Sequence, residues 1–215
     1  MTDKLLKVIG ERFALTELSA GEFASLKVSG MKFNIKAYYA EGLGHVSVMR
    51  ASGFFGLMKM DTLMITPTEL DLPLYSYDRI YAMGKDTLIV ELYDTMTGEL
   101  DASALGSVKA EFASLPERDA GEHWYDGIKL KESISKKGKK AHTTALDELA
   151  IKHFHAYLGL SAGEPSSADK KREKTEYYVN GLLERGGPST DVFKKSLGKE
   201  KTEELFKKVL FGTKK

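Results

Sequence analysis

Met31, Phe33, Ile35, Ala37 and Tyr39 alternate with Lys32, Asn34, Lys36 and Tyr38, the two-residue period of a strand with one face buried. Gly42 and Gly44 punctuate the chain before a second run, His45 to Met49. A third spans Phe54 to Ile65 and a fourth Leu74 to Met83. Gly84-Lys85-Asp86 predicts a hairpin turn into a fifth run, Thr87 to Tyr93, which is β-branched and aromatic. Consecutive strands on short, turn-rich links predict an antiparallel meander.

The period changes in the second half. Leu146, Leu149, Ala150, His153 and Leu158 recur at helical spacing in a segment entered through Thr143 and Thr144. Lys174 to Arg185 predicts a second helix, ended by Gly186-Gly187-Pro188. Ser189 or Thr190 caps a third, Asp191 to Leu197, closed by Gly198, and a last helix carries Leu205, Phe206, Val209, Leu210 and Phe211. Ser135–Lys140 and Ser161–Asp169 read as loops. Strands followed by helices predict an α+β fold, with helices covering a sheet. We expect one domain over residues 1–215, sheet-rich over 20–112 and helix-rich over 140–215.

Composition narrows the chemistry. The 215 residues include no cysteine, which excludes disulfides, thiolate-held zinc, iron–sulfur clusters and thiol catalysis. Electron chemistry would therefore need a bound organic molecule or an outside donor. No run reaches the roughly 18 apolar residues of a membrane span, and the charged N-terminus does not read as a signal peptide. A cytoplasmic protein with no membrane partner is expected. The net charge of +1 conceals an asymmetry: residues 1–125 carry 12 Lys+Arg against 18 Asp+Glu, and residues 126–215 carry 20 against 13. A basic half suits an acidic partner. The basic loop Lys136-Lys137-Gly138-Lys139-Lys140 has no interleaved aromatics, so an acidic protein fits it better than nucleic acid.

Nucleotide-binding glycine motifs, a His-Glu-x-x-His helix and a nucleophile elbow are absent. His142, His153 and His155 lack metal-ligand spacing and read as partly exposed helix histidines, so no metal is expected. Asp78 is the most informative residue. It sits in Leu74-Tyr75-Ser76-Tyr77-Asp78-Arg79-Ile80-Tyr81, a tyrosine-rich strand where aspartate is disfavoured. A carboxyl between aromatic walls has its pKa raised by desolvation, as suits a proton donor; the alternative is an exposed Asp paired with a cross-strand Lys or Arg. Asp61, in Lys59-Met60-Asp61-Thr62-Leu63-Met64, is a second acid in an apolar strand and reads in the same two ways.

Asp71-Leu72-Pro73-Leu74-Tyr75-Ser76-Tyr77-Asp78 resembles a stretch of the ferredoxin-dependent bilin reductases: Leu-Pro, an apolar or aromatic pair, two small residues and Asp. Val192-Phe193-Lys194-Lys195-Ser196-Leu197-Gly198 and Leu205-Phe206-Lys207-Lys208-Val209-Leu210-Phe211 are similar to that family's closing helices. The resemblance implies a central antiparallel sheet sandwiched between layers of helices, with a linear tetrapyrrole held between the sheet and the C-terminal helices. It implies reduction by successive single electrons from ferredoxin or flavodoxin, with no bound metal or flavin. Asp78 falls on the family's central pocket aspartate, the proton donor, with Asp61 assisting or orienting. Lys136, Lys137, Lys139 and Lys140 become candidates for docking acidic ferredoxin. Three positions depart from the family: a pocket histidine falls at Asp61, a glutamate near Met49, and a loop acid at Gly187. These departures argue against the phycocyanobilin-forming reaction, and they leave open a protein that binds a tetrapyrrole or another flat hydrophobic ligand without chemistry.

Overall fold

The structure is a computed structural model and describes residues 1–187 and 189–214. Eight strands form one open antiparallel sheet: β1 (Leu15–Leu18), β2 (Ser25–Val28), β3 (Met31–Ala40), β4 (Gly44–Gly53), β5 (Met58–Pro67), β6 (Leu74–Ala82), β7 (Lys85–Tyr93) and β8 (Ile134–Lys139). Their order is β1-β3-β4-β5-β6-β7-β8, with β2 also on β3. From β3 to β7 each strand pairs with its successor, the meander that the alternation predicts.

Helices cover both faces, because both parities of the central strands are largely apolar. Val46, Val48, Leu63, Ile65, Tyr75, Tyr77, Leu88 and Val90 pack against α1 (Thr2–Gly10), α2 (Ser103–Glu111) and α3 (Thr143–Leu158). The other parity, with Phe33, Ile35, Met49, Ala51, Met64 and Tyr93, packs against α4 (Ala168–Arg185), α5 (Thr190–Leu197) and the turns after α6 (Lys199–Glu204). An α/β/α sandwich results. None of the described helices is long and apolar enough to cross a membrane.

Several boundaries depart from the sequence reading. The sheet overruns 20–112 at both ends, through β1 and β8, while 103–111 is helix. Phe54–Gly56 forms a tight turn, so β5 starts only at Met58. The β6–β7 turn is Met83-Gly84, and Lys85 is already strand. α4 starts six residues before Lys174, at Ala168, where the Ser167 hydroxyl accepts from the Lys170 amide. Its first two turns are too polar to show a period, although Lys171 is buried against Asp71 (3.4 Å) and the Leu72 carbonyl (2.8 Å). Pro188, part of the predicted stop after α4, lies outside the described residues.

The basic loop is instead strand β8, paired to β7 from Val90↔Ile134 to Lys85↔Lys139. Alternation turns Lys136 inward, where it is 1% exposed, pairs with Glu117 (2.5 Å) and donates to the Leu115 carbonyl. Lys136 is therefore no docking residue, whereas Lys137, Lys139 and Lys140 remain exposed. His153 is likewise fully buried, not a partly exposed helix residue; its Nε2 lies 3.2 Å from the Glu132 carbonyl and so carries the donating hydrogen.

Burial lowers the His153 pKa to about 4. The unfolded chain takes up this proton near pH 6.5 and the native state only near 4, so acidification between those values favours unfolding. His153→Gln, which keeps a donor but does not titrate, should flatten the loss by about 2–3 kcal/mol across this window. Urea unfolding of both proteins at pH 7 and pH 4.5 measures the difference; equal losses would refute it.

Candidate active site

A cavity of about 270 Å³ lies between the centre of the sheet and the C-terminal helices. Its floor is rich in methionine: Met49 from β4, and Met58, Met60 and Met64 from β5. Its roof is Tyr178 and Leu182 of α4 with Phe206, Leu210 and Phe211 of the C-terminal turns. Arg118, His123 and Tyr125, from the long β7–β8 connection, close one side.

Asp78 stands in the middle of the floor. The register aligns Met49, Thr62, Asp78 and Ile89 in one row across β4 to β7. The Thr62 hydroxyl donates to Asp78 Oδ1 at 2.5 Å. The carboxyl is half-buried and lines the cavity. Desolvation pushes its pKa up to about 6; the Thr62 hydrogen bond opposes the rise, the Glu91 charge adds to it, and Arg118 opposes it. Asp78 is thus an acid that can hold or release a proton near neutral pH.

Glu91 lies on the same face, one row away, opposite Ser76. It accepts from the Tyr93 hydroxyl at 2.6 Å and lies 3.7 Å from Lys129 Nζ. Tyr93 stacks on Tyr178 with ring centroids 4.0 Å apart and meets Tyr125 edge-on at 5.5 Å. The aromatic wall beside Asp78 therefore comes from β7, α4 and the β7–β8 connection. Tyr75, Tyr77 and Tyr81, its neighbours in sequence, have the opposite parity.

The roof is fastened by two polar side chains of β4. His45 Nε2 lies 2.8 Å from the Val209 carbonyl and Ser47 Oγ donates to the Leu210 carbonyl at 2.7 Å. Burial lowers the His45 pKa, so the ring is neutral and Nε2 is its donating nitrogen. Leu205–Leu210 is a π-helical turn, and these bonds satisfy carbonyls that a helix end leaves open. Gly212 follows at φ +63°, where an added Cβ would fall 2.4 Å from His45 Cγ. Gly212→Ala should therefore cost roughly 2–3 kcal/mol in urea unfolding, combining backbone strain with overpacking. An unchanged midpoint would show that the roof tolerates displacement.

The structure brings Asp78 to the cavity but not Asp61. Asp61 is one residue out of phase, opposite Arg79, and its Oδ2 lies 3.1 Å from the Met1 amino group on the α1 side of the sheet. Thr62 holds the cavity-facing position on β5. Met49 lines the floor; Gly187 does not line the cavity, although Ser189 and Thr190 nearby do. Sequence reasoning missed Thr62, Glu91, Arg118 and Tyr125. Glu91 left one signal, a charge inside the apolar run Thr87–Tyr93 at the parity of Ile89 and Tyr93; the loop residues left none. Among the described residues, no group of three His, Cys, Asp or Glu is placed to hold a metal.

No family model and no curated protein sequence matches the chain. Among solved structures it is similar to phytochromobilin synthase from tomato in complex with biliverdin, with a TM-score of 0.79 over 99% of this chain and 82% of that one. At 14% identity this likeness shows a shared fold.

The raised Asp78 pKa has a cost in stability. The native state keeps this proton up to about pH 6 and the unfolded chain loses it near 4, so stability falls as pH rises across that interval. Asp78→Asn retains the acceptor for Thr62 and removes the charge. It should be more stable than the parent by about 1–2 kcal/mol at pH 7, after discounting for the open side of the cavity, with no difference at pH 3.5. Equal stability at both pH values would disprove the burial of charge.

Proposed function

We propose that the protein binds a linear tetrapyrrole in this cavity and reduces it with single electrons from ferredoxin or flavodoxin. Asp78 is the proton donor in this reading. The observation that carries it is one protonatable carboxyl, with its pKa near 6, in a cavity walled by methionine and tyrosine. Full-length likeness to a fold that holds biliverdin in tomato phytochromobilin synthase supports the choice of ligand. Methionine walls are unbranched and polarizable, so they repack around a flat pigment more readily than branched residues would.

The chemistry is stepwise. Each electron makes the pigment more basic, and Asp78 passes its proton to the atom where that charge collects. The carboxylate is then reprotonated from solvent, and two electrons with two protons saturate one double bond. Arg118 favours the ionised form that follows transfer, and Thr62 holds the carboxyl in place. The electron donor docks through exposed Lys137 and Lys139, which line a shallow groove sharing Arg118 with the cavity, and through neighbouring Lys140.

Met49 and Thr62 favour a second reading. They occupy the row of Asp78 and neither is an acid, so a pocket that binds the pigment without reducing it is the alternative. Anaerobic titration with biliverdin, followed by reduced ferredoxin, separates the two. A saturable red shift and then loss of the band on reduction supports a reductase; a shift with no electron uptake supports the binding protein. No spectral change rejects both. Asp78→Asn should keep the red shift and slow reduction at least about 100-fold, as for loss of a general acid. Undiminished turnover would remove Asp78 from the mechanism.

A further inference from the structure

Three hairpin turns gather at one end of the sheet: Ser29-Gly30 between β2 and β3, residues 54–57 between β4 and β5, and Met83-Gly84 between β6 and β7. The last two are neighbours, since Met58 pairs with Ala82. Together they expose Phe54, Phe55, Leu57 and Met83; Phe55 is fully exposed, Met83 93% and Leu57 72%. The local chemistry of the turns does not ask for these residues. Phe54, Phe55 and Met83 have φ of +51°, +55° and +51°, a left-handed conformation that glycine or asparagine adopts far more easily than a bulky side chain. Met83 holds the first central position of a two-residue turn, where Asn-Gly is preferred. The chain therefore accepts backbone strain and exposed apolar area at this tip, and neither helps it fold.

The charges around the tip are of one sign. Lys27, Lys32 and Lys59 lie in a single row through Ser52, and Lys85 follows the second turn. All four are exposed, and none is ion-paired among the described residues. Lys27 and Lys32 are direct cross-strand partners, an arrangement of like charges that weakens a sheet. Asp86, the acid nearest the turn, is buried on Arg79 and does not neutralise the rim.

We propose that this end of the sheet docks on an anionic membrane surface, with Phe54, Phe55, Leu57 and Met83 entering the interface and the lysines meeting acidic headgroups. Protruding apolar tips suit a soft surface that closes around them, and lysines keep their charge at headgroup level while their stems pass apolar surroundings. Each lysine near such a surface contributes about fivefold to partitioning. The absence of a spanning helix is no obstacle, because the protein would lie on the membrane. Met58 and Ile80, next to the two turns, also line the cavity, so the docked face borders the ligand pocket. The inference stands independently of what that pocket binds.

Flotation of the full chain with phosphatidylcholine vesicles, with and without phosphatidylserine, tests it. The protein should float with the phosphatidylserine vesicles and little with phosphatidylcholine alone. Phe55→Ser with Leu57→Ser should lower binding at least about tenfold, given the apolar area removed from the interface. Lys59→Glu with Lys85→Glu should abolish the preference for phosphatidylserine. These side chains are exposed and unpartnered, so thermal melts within a few degrees of the parent show that the variants fold. Failure to float with either vesicle, or binding indifferent to both variants, overturns the proposal. So does loss of binding to reduced ferredoxin in the Phe55/Leu57 variant without any vesicle binding, which would assign the tip to a protein partner.

Discussion

A sheet covered on both faces imposes a high cost on an unmatched ion, and this constraint shapes the two layers differently. Arg79 and Asp78 are adjacent on β6 and point to opposite layers. Arg79 is fully buried and meets Asp86 at 2.6 Å and Asp147 at 3.1 Å, so its charge is matched where it lies. Asp78 meets a threonine hydroxyl and a cavity lined with methionine and tyrosine. One layer neutralises its charge with partners, and the other leaves a carboxyl whose cheapest adjustment is to keep its proton.

That difference follows from how the second layer is built. Beside the cavity it is a packed aromatic core, in which Phe206 of the roof meets Phe193 and Phe193 meets Phe33. Over β4 to β7 a cavity separates the helices from the sheet, floored by methionines on β4 and β5 and by Ser76, Asp78, Ile80, Ile89 and Glu91 on β6 and β7. The gap persists because the roof is tied elsewhere: His45 and Ser47 hold the last helical carbonyls over β4, and Trp124 Nε1 donates to the Gly186 carbonyl at the end of α4. The ends of the roof are fixed by directional bonds while its middle rests on adaptable methionine side chains.

The meander was legible because β3 to β7 repeat a two-residue period between clear turn residues. β8 was not, because its inward positions are Ile134, Lys136 and Gly138, and a buried lysine reads in sequence as a solvated one. The start of α4 was hidden in the same way by Lys171. Both lysines are buried at the ammonium as well as the stem, which only the partner carboxylate and carbonyls make affordable. Asp78 stood out as a charge inside a strand, and so did Asp61. Parity separates them: the β5–β6 register sets Thr62, not Asp61, opposite Asp78, and no local pattern fixes a register when both faces of a strand are buried. Arg118, His123 and Tyr125 come from a connection of irregular structure, where spacing carries no information about direction.

The same register explains why no second carboxyl lies directly across from Asp78. Glu91 shares the face of Asp78 but sits a row away, with Lys129 and the Tyr93 hydroxyl as its own partners. Its negative charge is therefore partly satisfied where it stands, and it acts on Asp78 as a like charge that adds to the desolvation rise. Had Asp61 taken the place of Thr62, two carboxyls would lie directly across from each other. One would then be protonated at almost any physiological pH and the other ionised, as for any two carboxyls that share a site. A threonine there donates one hydrogen bond, brings no charge, and holds the rise to about 6. The pKa of this carboxyl thus depends as much on the uncharged neighbour as on the burial of the acid itself.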